Sequence, residues 1–185
     1  MTRRGKRKLS HDREGENSTE PIGILPSFKA FTLKSGGKIN RILIPIGLTP
    51  MFDPVLNPDK PPFPILKKQA LWDTGATGSL ITPQTAQELN LIPTGTTNLV
   101  HDGGQEQRNT YIVNIFLPNK VAIWGAVVAE SGNIFGGFDA IIGMDIITMG
   151  DMAITNCNDQ TCMSYRVPSI TQIDYVEEAK KLRKK

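Results

Sequence analysis

Ala70–Thr82 reads A-L-W-D-T-G-A-T-G-S-L-I-T: an apolar run ends in the carboxylate of Asp73, a turn-forming T-G-A-T-G follows, and a second apolar run starts at Ser79-Leu80-Ile81. A buried strand of that kind delivers Asp73 to a tight loop. Its glycines have no Cβ, so the loop can take strained backbone angles and let a bound group come close to the main chain. A carboxylate so placed is catalytic, a loop cap or a metal ligand. Asp-Thr-Gly is also good turn chemistry, and on the bare pattern the loop cap comes first.

The flanking residues change that order. W-D-T-G-A-T-G-S-L-I is followed, 66 positions after Asp73, by D-A-I-I-G-M-D-I-I over Asp139–Ile147. Together these elements, within about Gln69 to Pro168, resemble the retropepsin-like aspartic proteases, of bacterial or mobile-element type. The resemblance implies an all-β fold, the closed six-stranded barrel of acid proteases with one or two short helices, acting as a homodimeric aspartic endopeptidase. In that family the D-T-G-A loop carries the catalytic aspartate, here Asp73, and Thr74 hydroxyls tie two such loops together across a two-fold axis. Gly75 and Ala76, with Thr77 after them, lie beside the substrate backbone. The Ile141-Ile142-Gly143 element packs behind the loop. A hairpin flap closes over the substrate, and by position the turn Asp102-Gly103-Gly104 is its tip.

The chemistry needs two carboxylates facing one water, one ionised to take its proton and one protonated to polarise the scissile carbonyl. Two carboxylates about 3 Å apart cannot both ionise, so they share a proton. D-T-G occurs once in this chain, so the second aspartate must be Asp73 of another copy. The reaction takes no cofactor and no metal; its partners are a peptide or protein substrate and a second subunit. Two positions depart from viral relatives, which often have an acidic residue where Thr77 stands and an Arg where Met144 stands. A viral-type ion pair near the dimer contact is therefore not available.

Outward from the motif, the 185 residues suit one domain with tails, read as a tail over 1–20, the protease domain over 21–170 and a basic helix or tail over 171–185. Charge is segregated. Met1–Arg13 holds six Lys/Arg and Lys180–Lys185 five, while the ten of residues 14–179 face 17 Asp/Glu, leaving that body about seven negative. Basic ends are read as solubilising tails. Met1–Asn17 has no aromatic to stack on bases, which argues against a nucleic-acid binder. No run approaches the roughly 18 apolar residues of a membrane span. The basic start leads into H-D-R-E-G-E-N-S instead of an apolar core, and Cys157 and Cys162 are too few for a structural zinc site, so the expectation is a cytoplasmic protein with reduced thiols.

Along the chain, Phe28–Leu33 and Ile39–Leu48 are expected to form a hairpin around Ser35-Gly36-Gly37, with Pro45 at a sheet edge or bulge. Thr49–Pro64, with six prolines, reads as an extended surface loop packed by its own side chains. Thr82 caps a short helix with Pro83 at its first position and Asn90 at its end. Thr97–Leu117 is the flap hairpin, Val121–Glu130 and Asp139–Ile142 are strands, and Met152–Asn156 with Met163–Val167 make a last hairpin. The alternative from another class is a non-catalytic dimerisation or peptide-binding module on the same fold.

Overall fold

Strands whose every second residue is apolar need a partner sheet, and here they find it by curling into a ring. In the computed structural model, which describes residues 27–101, 104–132, 134 and 136–183, the elements follow as β1 (Lys29–Lys34), β2 (Ile42–Pro50), β3 (Leu66–Trp72), β4 (Leu80–Ile81), α1 (Pro83–Glu88), β5 (Gly95–His101), β6 (Gly104–Leu117) and β7 (Val121–Glu130). Then come β8 (Ala140–Ile142), α2 (Met144–Ile147), β9 (Asp151–Thr155), β10 (Cys162–Val167) and α3 (Tyr175–Leu182). The expected tail at 1–20 lies outside the described residues.

The order β2-β3-β8-β4-β7-β6 closes on itself, because β6 pairs with β2 from Gly47↔Phe116 to Pro50↔Val113. The result is the all-β closed barrel of six strands, with few and short helices. Ile44, Leu48, Ala70, Ile81, Val113, Ile115, Val121, Val128 and Ile142 fill its interior at 0–1% exposure. Each buried Val, Leu or Ile among them contributes about 1.5–3 kcal/mol, so the interior holds the ring shut. A register shift between Val113 and Ile115 leaves Asn114 fully buried. Its amide donates to Phe52 O (3.1 Å) and its Oδ1 accepts from Gly125 N (2.9 Å), so the bulge satisfies its own polar group and anchors the proline-rich segment.

Two expectations are corrected. β1 does not form a hairpin with β2; it pairs with β10, from Lys29↔Val167 to Lys34↔Cys162, and β10 pairs with β9. The reason lies in the burial pattern. β2 is buried on both faces from Ile46 to Thr49 and takes β3 and β6 as neighbours. β1 alternates, with Phe31 inward beside Tyr165, and Ser35 N and Gly37 O of the turn bond to Thr161 at the entrance of β10. Thr49 and Pro50, expected in the proline-rich loop, are the last residues of β2. Pro45 lies where β2 has β3 alone as neighbour, and a missing N–H is tolerated there. The rest of the proline-rich segment packs on the barrel through Phe52, whose ring meets Phe63 and Trp124 at centroid distances of 6.5 and 5.7 Å.

Helix α1 begins as its sequence dictates: Thr82 Oγ1 accepts from Thr85 N, Pro83 stands at the first position, and Asn90 takes φ 51° beyond its end. Asp174 caps α3 in the same manner, accepting from Val176 N and Glu177 N. No helix among the described residues is long and apolar enough to cross a membrane.

Asp151 ties β9 to the segment after β10. The Ser169 hydroxyl, Ile170 N and Arg166 Nε, helped by Thr171 N, hold its carboxyl well below the usual carboxylate range. The folded chain therefore keeps Asp151 ionised where the unfolded chain would bind a proton. Its stabilisation is complete above about pH 4 and lost as pH falls below that. Asp151→Asn is expected to lower stability at neutral pH and to flatten the acid limb of a urea-midpoint profile; an acid limb as steep as that of the unaltered chain would disprove the assignment.

Candidate active site

Asp73 follows β3 directly, and the loop it opens is sewn to the Ile141–Asp145 segment at both ends. Asp73 N donates to Ile142 O (3.0 Å), Met144 N to Ala76 O (2.8 Å) and Asp145 N to Thr77 O (3.2 Å). This follows from topology: β8 lies between β3, to which it is parallel, and β4, to which it is antiparallel, so the chain entering and leaving the loop flanks Ile141. The Asp73 carboxylate is partly exposed, and its Oδ1 accepts from Gly75 N at 2.8 Å. A Cβ on Gly75 would stand 3.2 Å from that same oxygen. The arrangement is the Asx-turn that the bare pattern suggested, and the turn leaves the second carboxylate oxygen without a bond to the loop.

Behind the loop the fit is closer still. A Cβ on Gly143 would lie 2.6 Å from Gly78 O, 2.7 Å from Gly78 C and 3.0 Å from Ala76 O, all of them backbone atoms. Ser79, 2% exposed, donates through N and Oγ to the Asp145 carboxylate and accepts from Gly143 N. Asp145 also accepts from Ile146 N. Sequence reasoning gave Asp145 no part in the site. Its signal was available in the motif itself, an acid two residues past the glycine that touches the loop.

Beneath Asp73, the Trp72 ring meets Tyr165 at 4.8 Å and Phe31 at 5.8 Å, both edge-on. Tyr165 donates its hydroxyl to Ile146 O (2.8 Å), and burial pushes its phenol up to about 12. Lys68, one-tenth exposed, bridges Glu88 of α1 (2.9 Å) and Asp139 (3.5 Å), while Asp139 accepts from Gln69 N and so aligns β8 on β3.

Gly75 to Leu80 form one wall of a cavity of about 540 Å³; Thr97, Asn98, Thr110, Val127 and Ala129 form the others. The β5–β6 hairpin, in register from Gly95↔Thr110 to His101↔Gly104, therefore shares this cavity with the loop. The expected tip residues Asp102 and Gly103 lie outside the described residues, and Gly104 takes φ 118°, a conformation that L side chains rarely adopt. Thr74 and Thr77 are exposed, and Ala76 partly so. Met144 meets the loop through its backbone.

No protein-family model and no curated protein matches the chain. Among solved structures it is similar to a retropepsin-like aspartic protease from Rickettsia conorii (15% identity, 76% of this chain and 96% of that one, TM-score 0.48). It is also similar to the retroviral protease-like domain of Ddi1 from Leishmania major (17%, 74% and 99%, TM-score 0.41) and to Simian Foamy Virus (mac) protease (22%, 43% and 78%, TM-score 0.31).

Proposed function

We propose that the chain is an aspartic endopeptidase that hydrolyses peptide bonds through a water held between two copies of Asp73, one from each subunit of a homodimer. The observation that carries this is the presentation of Asp73. Its carboxylate is steadied by Gly75 N on a loop locked by Gly143 and Asp145, and the residues that follow it in that loop, from Gly75 on, wall a cavity. Such fixing is what general acid–base work on a peptide requires, since the reacting groups must be held before the substrate arrives. In this reading Thr74 joins the two loops, and Gly75, Ala76 and Thr77 meet the substrate backbone. Two free cysteines suit a reducing compartment, the cytoplasm.

Denatured protein incubated with the purified chain in mildly acidic buffer should be cut, and Asp73→Asn should not cut it. Cleavage that survives the substitution ends the reading; a wild-type chain that dimerises and binds peptides but cuts none is a binding module. The hairpin is the flap in this scheme. Gly104→Val, strained at φ 118°, is expected to lower kcat/KM about tenfold or more while Tm falls only slightly. Unchanged cleavage would remove the flap from the mechanism.

A further inference from the structure

The cavity beside the Asp73 loop has no charged side chain in its lining, and Arg108 is the charged residue paired with one of the lining residues. Thr97 and Thr110 line the cavity from the hairpin. Arg108 is directly opposed to Thr97 across the β5–β6 ladder and is two residues from Thr110, so pleating puts all three on the cavity face. Burial follows that alternation from Gln105 to Arg108: Glu106 and Arg108 are partly buried while Gln105 and Gln107 are exposed, and from Arg108 to Thr110 every residue is partly buried. The guanidinium reaches past the end of β7, with Nη2 3.7 Å from where a Cβ on Gly132 would be, and Nη2 pairs with Glu106 at 2.5 Å. Its Nε is buried and has no hydrogen-bond partner. A buried N–H donor left open is costly in a folded protein, so this partly exposed side chain gains by turning toward an acceptor that arrives from outside.

We propose that Arg108 reads an acidic side chain of the peptide substrate, at one subsite next to the uncharged pocket. This rests on the endopeptidase reading of the site. Nε is closed to solvent as it stands, so the side chain turns that edge outward to take the incoming carboxylate side-on, the pairing that a planar fork supports and an ammonium does not. Glu106 keeps its hold on Nη2 and competes for the same cation. The uncharged cavity, with Leu80, Val127 and Ala129 among its walls, sets the neighbouring subsite, and Arg108 adds a charge requirement to it.

The test uses short peptides of Ala, Val, Leu and Phe carrying one Glu, or one Gln, at each position in turn. Cleavage is measured with the full chain, and binding with its Asp73→Asn form by fluorescence anisotropy. At one position Glu should exceed Gln about tenfold in kcat/KM and in affinity. Arg108→Met should bring that ratio to about one while Gln peptides are handled within about twofold of wild type. Arg108→Lys, which keeps the charge without the fork, should retain only part of the preference, and its Tm serves as the folding control. Glu106→Gln should enlarge the preference. The proposal is overturned if no position favours Glu, or if the preference survives in Arg108→Met. A chain that binds with the Glu preference but cuts nothing keeps Arg108's role and loses the protease reading. Cutting without preference does the reverse, and neither binding nor cutting overturns both.

Discussion

Gly143→Ala is expected to cost about 3 kcal/mol of stability and to lower Tm by roughly 10 °C, more than any other single methyl added around the loop. The added Cβ would meet Gly78 O, Gly78 C and Ala76 O at 3.0 Å or less. These are main-chain atoms of a loop already bonded to Met144 N and Asp145 N, so neither side can yield without breaking those bonds. Gly78→Ala is the matched control. A Cβ there has nothing within 4 Å, and its Tm should stay within about 1 °C of the parent. Thermal melts followed by tryptophan fluorescence decide the matter, with Trp72 buried next to the loop as reporter. Equal tolerance of the two substitutions would show that Gly143 does not lock the loop.

Asp73→Asn should reduce peptide cleavage by at least about a thousandfold and leave the fold intact. The amide is nearly isosteric, and its oxygen can still accept from Gly75 N. Subunit mixing then separates a dimeric from a monomeric site. If each site needs an aspartate from both copies, activity falls as the square of the wild-type fraction, to about a quarter at equal mixing. A fall to one half would mean that each chain works alone, and would end the two-copy scheme. Sedimentation of the mixture, run alongside, establishes that the subunits exchange.

How far the chain could be read beforehand depended on how local each signal was. Thr82 and Pro83 at one end and Asn90 at the other each act on the helical turn next to them, and helix α1 formed where they placed it. The closed barrel and the contact of Ile142 with Asp73 were legible because the D-T-G-A and I-I-G patterns carry a long-range relation in their resemblance to a family. Bare alternation carries no such relation. It identified β1 and β10 as strands but not as partners, since β1 presents the same one-sided pattern to any antiparallel neighbour. Asn114 was equally hidden, because the register shift that buries it depends on β2, β7 and the segment at Phe52 together. Arg108 and Asp145 look in sequence like ordinary surface charges. What singles them out is geometric: a strand register for one, and a serine on the far side of β8 for the other.

The pairing of β1 with β10 has a consequence for how the protein is made. Lys29 and Val167 are 138 positions apart, so a chain growing from its N-terminus releases β1 long before its partner strand exists. Throughout that interval Phe31 has neither Tyr165 nor the completed barrel to cover it, and the edge of β1 is open to other chains. A ribosome that stalls or terminates before Cys162 leaves β1 without the strand it pairs with, a product suited to aggregation or to removal by quality control. Among the described strands, the last to be synthesised is the one that lets the first take its place.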